Sequence, residues 1–216
     1  MMRLRYIPRL PAYILRAVMR ITSFPRIYSL CGRMCARAEA RKPHIFVADI
    51  ADTRDAVATL CALRRTGRDG TCGTAPCMVV SETEYARNAM LRSVSRRRLI
   101  RQKGGLNTEW VHDGLKRLRN GQSLLMLQKA ESGAGTAAVF LSLMSGAEIV
   151  PLYSPPHKSL FRRQRIAAGA PMSPDRTLGL TAEALRHEFG RVQAAIRSLA
   201  AMTLSNGGCG NGKNAR

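Results

Sequence analysis

Four short apolar runs, His44 to Asp49 (HIFVAD), Cys77 to Val80 (CMVV), Ser123 to Leu127 (SLLML) and Ile149 to Tyr153 (IVPLY), set the tightest constraint on this chain of 216 residues. Runs this short, with little polar alternation, fit strands covered on both faces. Between them the apolar residues fall at helical spacing. Strands that alternate with helices specify a mostly parallel central sheet flanked by helices, so the expected fold class is α/β. Apolar residues make up 45% of the sequence and charged ones 23%, which provides a core and excludes disorder along the whole chain.

Local signals place the remaining elements. Ala51 to Arg54 is a turn, Asp55 to Arg65 a helix, Gly67 to Pro76 a Gly/Thr-rich loop and Glu82 to Arg92 a further helix. Thr108 is expected to cap a helix that carries Val111, Leu115 and Leu118 on one face and that Gly121 stops. A core helix is expected over Ala137 to Ser145, and Phe161 to Ala168 reads as a strand with alternating basic residues. The last helix, capped by Thr181, sets Leu185, Phe189, Val192, Ile196 and Leu199 on one stripe, and Ser205 to Arg216 is expected to be a flexible tail.

Lys and Arg number 35 against 14 Asp and Glu, so the chain carries +21 and calls for an anionic partner. Residues 1–42 hold ten basic side chains and one acid, Glu39, for a local charge of +9. Tyr13, Ile14, Ala17, Val18 and Ile21 lie among the arginines at helical spacing. A basic amphipathic helical segment is a membrane-surface element. Residues 1–42 are therefore assigned to docking on an anionic membrane surface, 43–204 to the α/β domain and 205–216 to the tail. The uncharged stretch Gly133 to Ala147 is too short to cross a bilayer as a helix. Six cysteines without C-x-x-C spacing, and no histidine near a pair of them, offer no metal site. They read as reduced thiols of a cytoplasmic protein, peripheral on the cytoplasmic face of a membrane.

The stretch from Leu115 to Met172 (LKRLRNGQSLLMLQKAESGAGTAAVFLSLMSGAEIVPLYSPPHKSLFRRQRIAAGAPM) resembles, in order and spacing, the second half of the glycerolipid (lysophosphatidic acid) acyltransferase family. There a helix ends in glycine, a strand ends in Pro-Glu-Gly-Thr-Arg, a helix follows, and an Ile-Val-Pro strand precedes a basic strand ending in Gly-x-Pro. Here those features are Leu118 to Gly121, Ser123 to Leu127, Ala137 to Ala147, Ile149-Val150-Pro151 and Arg165 to Pro171. The likeness begins near Pro43. It implies a glycerol-3-phosphate acyltransferase-like fold and transfer of a fatty acyl chain to a lysophospholipid hydroxyl. The co-substrate it implies is acyl-CoA or acyl-carrier protein, with no bound cofactor.

In that family a strand ends in Ala-Asn-His, and an Asp further on orients the His as general base on the lysolipid hydroxyl. Ala48 to Asp55 occupies the same context, with Asp55 at the aspartate but Ile50 at the histidine, and isoleucine cannot accept a proton. A literal H-x4-D is present as His44 and Asp49, the alternative catalytic pair, but these bracket the apolar strand and stand about 16 Å apart in extended chain. The Pro-Glu-Gly-Thr-Arg position falls on Gln128-Lys129-Ala130-Glu131-Ser132 and keeps none of the five residues. The resemblance therefore leaves Lys129 for phosphate binding, with Arg101 and Lys103 of a second basic cluster near another phosphate-contacting arginine of the family.

Three functional readings follow. One is a membrane-surface acyltransferase. A second is a catalytically degenerate member that keeps the fold and binds membrane or lipid, since a fold outlasts site changes that a reaction does not. The third is a nucleic-acid-binding protein, suggested by charge alone and opposed by an aromatic content of 5% and the lack of a binding motif, so no specific nucleic acid is expected.

Overall fold

Each apolar run is too short to make a stable helix on its own and pairs with a strand on either side. In the computed structural model, which describes residues 26–29, 42–50, 53–68, 74–102, 108–128, 134–155 and 165–207, these runs are the centre of a seven-stranded sheet. The strands are β1 (Arg26–Ser29), β2 (His44–Asp49), β3 (Thr74–Ser81), β4 (Leu99–Gln102), β5 (Gln122–Leu127), β6 (Glu148–Tyr153) and β7 (Arg165–Ala168). Their order across the sheet is β1-β7-β6-β2-β5-β3-β4, and every neighbouring pair is parallel except β6 and β7. The expectation of a mostly parallel α/β sheet is met.

The helices are α1 (Thr53–Arg68), α2 (Glu82–Arg87), α3 (Ala89–Ser93), α4 (Glu109–Arg119), α5 (Ala134–Ser145) and α6 (Ala182–Gly207). Strand alternation feeds two separate cores. Phe46, Ala48, Met78, Val80 and Leu125 meet Ala56, Leu60 and Leu63 of α1 and Leu91 of α3 on one face. Ile45, Val47, Val79, Leu124 and Met126 meet Trp110 and Leu118 of α4, Val139 and Leu141 of α5, and Val192 and Ile196 of α6 on the other. Ile45, Leu124, Leu125 and Leu152 are fully buried, each contributing roughly 1.5–3 kcal/mol of burial.

Several boundaries differ from the sequence expectation. The expected helix Glu82 to Arg92 is two helices, because Asn88 adopts extended backbone and its Oδ1 accepts from the Met90 N–H at 2.9 Å, ending α2 and capping α3. Thr108 has helical backbone and no side-chain cap bond, whereas Thr181 does cap α6, accepting from the Ala184 N–H at 3.2 Å. Gly121 ends the α4 turn at φ 76°, a conformation that glycine adopts without strain. β3 begins at Thr74 inside the expected loop, with its register broken between Thr74 and Cys77. α5 begins at Ala134 rather than Ala137, and α6 extends to Gly207, into the expected tail.

Arg26–Ser29 lie within the segment expected to be helical, yet they form β1 by pairing in parallel with β7. Four residues carry too little periodicity for such a strand to be read locally; the partner strand decides it. The remainder of the basic N-terminal segment, apart from Lys42, lies outside the described residues, as do Phe161 to Gln164. No helix among the described residues is long and apolar enough to cross a membrane.

Candidate functional site

The C-terminal ends of β6, β2, β5, β3 and β4 share one edge of the sheet. From β2 and β3 the chain crosses toward the β4 side, while from β5 and β6 it crosses toward the β7 side. Where connections reverse in this way the loops diverge, and open α/β sheets bind ligands in the crevice that results.

Strand alternation brings three polar residues together on this rim. Ile45 and Val47 point into the core under α4, α5 and α6, so Asp49, in phase with them, lies on that face. Its register partner on β6 is Tyr153, which packs against the same core. On the other side Ala48 pairs with Leu127, and the next step sets Gln128 beside Asp49. The Gln128 backbone N–H donates to the Ala48 carbonyl at 2.8 Å, which fixes it there. Neighbouring strands are about 4.8 Å apart, so Tyr153, Asp49 and Gln128 form a contiguous row. Ser154, buried, donates its N–H to the Asp49 carbonyl at 3.3 Å and closes the end of β6 against β2.

The row is rich in acceptors. Asp49 is exposed. The Gln128 Oε1 atom is buried and has no hydrogen-bond partner among the described residues. A buried acceptor left without a donor costs about 1–3 kcal/mol, which a hydroxyl or ammonium donor on a ligand would offset. The Tyr153 hydroxyl can act in either sense. α5, which follows β5, starts on this face and is pressed against α6: a Cβ on Gly135 would overlap the Phe189 ring, so only glycine fits.

The residues singled out by sequence are distributed unevenly around this rim. Ile50 is 3% exposed and belongs to the core under α1, together with Ala56 and Leu60. Asp55 is 8% exposed in the first turn of α1, and its carbonyl accepts from Thr59 Oγ1 at 2.7 Å. These two flank the turn into α1 and are separated by the sheet from the α5 face that carries the row. His44 opens β2 at the opposite edge, 2% exposed, with Nε2 3.8 Å from the Glu148 carboxylate and its backbone N–H donating to Ser123 Oγ at 3.1 Å. It stands about 16 Å from Asp49 along the strand, and the odd spacing turns the two side chains to opposite faces. The alternative pair is therefore not brought together.

Arg101 lies on β4, three strand positions from β2, or about 14 Å. Its Nη1 is 3.2 Å from the Glu82 carboxylate and its guanidinium sits 5.3 Å from the centre of the Tyr85 ring. It lines a cavity of about 280 Å³ with Tyr85, Ile100, Glu109, Trp110 and Asp113 at the sheet edge, away from Asp49 and Asp55. Lys103 and Lys129 lie outside the described residues. Among the described residues no group of His, Cys, Asp and Glu could hold a metal ion. Burial pushes the Cys77 thiol up, opposed by the Arg117 guanidinium, whose Nη1 is 2.8 Å from Sγ.

Sequence reasoning missed Tyr153, Ser154 and the side chain of Gln128 as site residues. The signal for them was present: the strands β5 and β6, followed one residue past Leu127 and Tyr153, place all three on one rim. No protein-family model matches this sequence, and no curated protein matches it.

Proposed function

We propose that this chain binds a lysophospholipid at an anionic membrane surface, as a catalytically degenerate protein of acyltransferase-like type. The observation that carries this reading is the row Tyr153, Asp49 and Gln128, whose acceptors suit the glycerol hydroxyl of a lysolipid and whose buried Gln128 oxygen lacks a donor among the described residues. The resemblance over Leu115 to Met172 supplies the substrate class, and the charge of +21 supplies the attraction to a cytoplasmic membrane face. The reading as a binder without turnover draws support from Ile50, a buried aliphatic side chain that cannot take a proton, at the position where the resemblance expects the histidine.

A second reading, transfer of an acyl chain from acyl-CoA or acyl-carrier protein, draws support from Asp55, which is buried in the first turn of α1 where the resemblance expects the orienting aspartate. One set of measurements separates the two. Titration calorimetry with lysophosphatidic acid should give binding that Gln128→Leu and Asp49→Asn each weaken about tenfold, the worth of one hydrogen bond to a charged or buried partner. Acyl transfer to the same lipid should be near background in the native chain and in Ile50→His, whose side chain lies across the sheet from the row; turnover gained in Ile50→His would favour the second reading. Robust native turnover that His44→Ala abolishes would overturn both the strand register and the proposal.

A further inference from the structure

We propose that the arginines beside the β4 edge form a second docking surface, on the folded domain itself, for the anionic headgroups of a phospholipid bilayer. Between Tyr85 and Thr108 the sequence holds seven basic residues and no acid. The fold sets five of them on neighbouring elements: Arg87 ends α2, Arg92 lies in the last turn of α3, Arg97 and Arg98 belong to a 3-10 turn, and Arg101 is on the edge strand. Arg87, Arg92 and Arg97 are exposed and have no carboxylate partner among the described residues, whereas Arg101 is paired with Glu82. The first three therefore form a ridge of unneutralised charge.

The turn that carries Arg97 is held from inside. Its carbonyl accepts from Arg117 Nη1 at 2.7 Å, and the Cys77 thiol lies 3.7 Å from the same oxygen. The Arg98 N–H donates to the Ser95 carbonyl at 2.8 Å. With the backbone anchored inward, little ordering cost remains to be met on contact with a surface. Guanidinium groups suit phosphate because their planar donors can engage two oxygens at once.

A bilayer fits this surface better than a nucleic acid does. Among the described residues its exposed positions other than arginines are Thr83, Ala86, Ala89 and Ser95, none of them an aromatic that could stack a base. The nearby Tyr85 ring is covered by the Arg101 guanidinium. The surface lies at the β4 edge and along the α1 face, where Leu91 and Val94 pack beside α1, so it is separate from the proposed lysolipid site on the other face. The inference rests on the membrane-surface reading given above and adds a location to it.

The test is co-sedimentation of the full chain with phosphatidylcholine vesicles, with and without phosphatidylglycerol. The native chain should bind only the anionic vesicles. Arg87→Gln/Arg92→Gln/Arg97→Gln should weaken that binding by on the order of 100-fold at low salt, about fivefold per arginine, with the difference shrinking as salt is added. Arg87→Gln/Arg92→Gln, a lighter change on the two short helices, should weaken it about 25-fold on the same basis. Arg3→Gln/Arg5→Gln/Arg9→Gln reports the N-terminal contribution separately. If both ridge variants bind like the native chain while the N-terminal variant is released, the ridge proposal is overturned and the membrane reading stands. If the native chain ignores anionic vesicles altogether, the membrane reading fails and the ridge with it. Tight binding of an RNA oligonucleotide that anionic vesicles cannot displace would assign the arginines to nucleic acid and overturn the proposal.

Discussion

Replacing Gln128 by methionine should make the free protein more stable and the liganded one harder to form. The Gln128 Oε1 atom is buried without a partner among the described residues, while the residue's backbone is fixed to Ala48. An orphaned buried acceptor costs about 1–3 kcal/mol, and an apolar group of similar length removes that cost. For a chain of this size each kcal/mol moves Tm by roughly 2–4 °C. Taking the lower half of the range, Gln128→Met should raise Tm by about 2–8 °C in the absence of lipid, while any stabilisation by lysophosphatidic acid should be smaller than in the native protein. Gln128→Glu provides the opposite sign. It sets a second carboxylate one strand spacing from Asp49, about 5 Å away, costing about 1 kcal/mol near a solvated rim at neutral pH. Like charges raise the carboxyl pKa values, so this loss is present above the carboxylate range and fades as pH falls through it. Thermal melts with and without lysolipid, across pH, read all three effects. A Tm that falls in Gln128→Met would mean that the amide oxygen is satisfied in the native state, and the argument for an acceptor row would collapse.

Other consequences are local. Gly135→Ala should cost about 1–3 kcal/mol by driving a Cβ into the Phe189 ring, and the cost should drop in a Phe189→Leu background; equal costs in both backgrounds would place the strain elsewhere. The Asp175 carboxyl is held below its usual 3.8 by the Thr177 hydroxyl and backbone N–H. This depressed group supports its turn above the unfolded pKa and loses that support as pH falls through the folded one. Thr177→Val should therefore move the Asp175 midpoint up toward 3.8 in an NMR titration, and an unchanged midpoint would remove the hydroxyl from the explanation. In mildly alkaline alkylation Cys61, exposed, should react well before Cys77, whose thiol burial raises; Arg117→Met should slow Cys77 further unless the guanidinium has no hold on it.

The central strands were legible because their apolar runs are continuous and their burial is two-sided, as in Ile45, Phe46 and Val47. What local reading could not supply is pairing across the sheet. β1 exists through its register with β7, and β3 is lengthened to Thr74 through contact with β5. Asn88 split a periodic helix because its side chain competes with the backbone for the Met90 N–H, an effect that apolar periodicity does not register. The site was partly legible for the same reason. Asp49, Ile50 and Asp55 were found by position along one continuous stretch, from the end of β2 into α1, whereas Gln128 and Tyr153 join Asp49 only through the order β6-β2-β5.

That order also separates two kinds of chemistry that the sequence runs together. A cation must come within about 4 Å of an oxygen to form an ion pair, and the Arg101 guanidinium is already engaged by Glu82 and Tyr85 on the far side of β3. It is therefore poorly placed to hold the phosphate of a lipid whose hydroxyl meets Asp49 and Gln128, some 14 Å away. Lys129, next in the chain after Gln128, is the cation nearest in sequence to that row and the better candidate for the phosphate. The arginines along the β4 edge are left for a ligand that is extended rather than single, which is what a bilayer surface provides. If the proposed division holds, the row would select by hydroxyl and the ridge by charge density, and removing the ridge arginines should change membrane binding without changing lysolipid affinity.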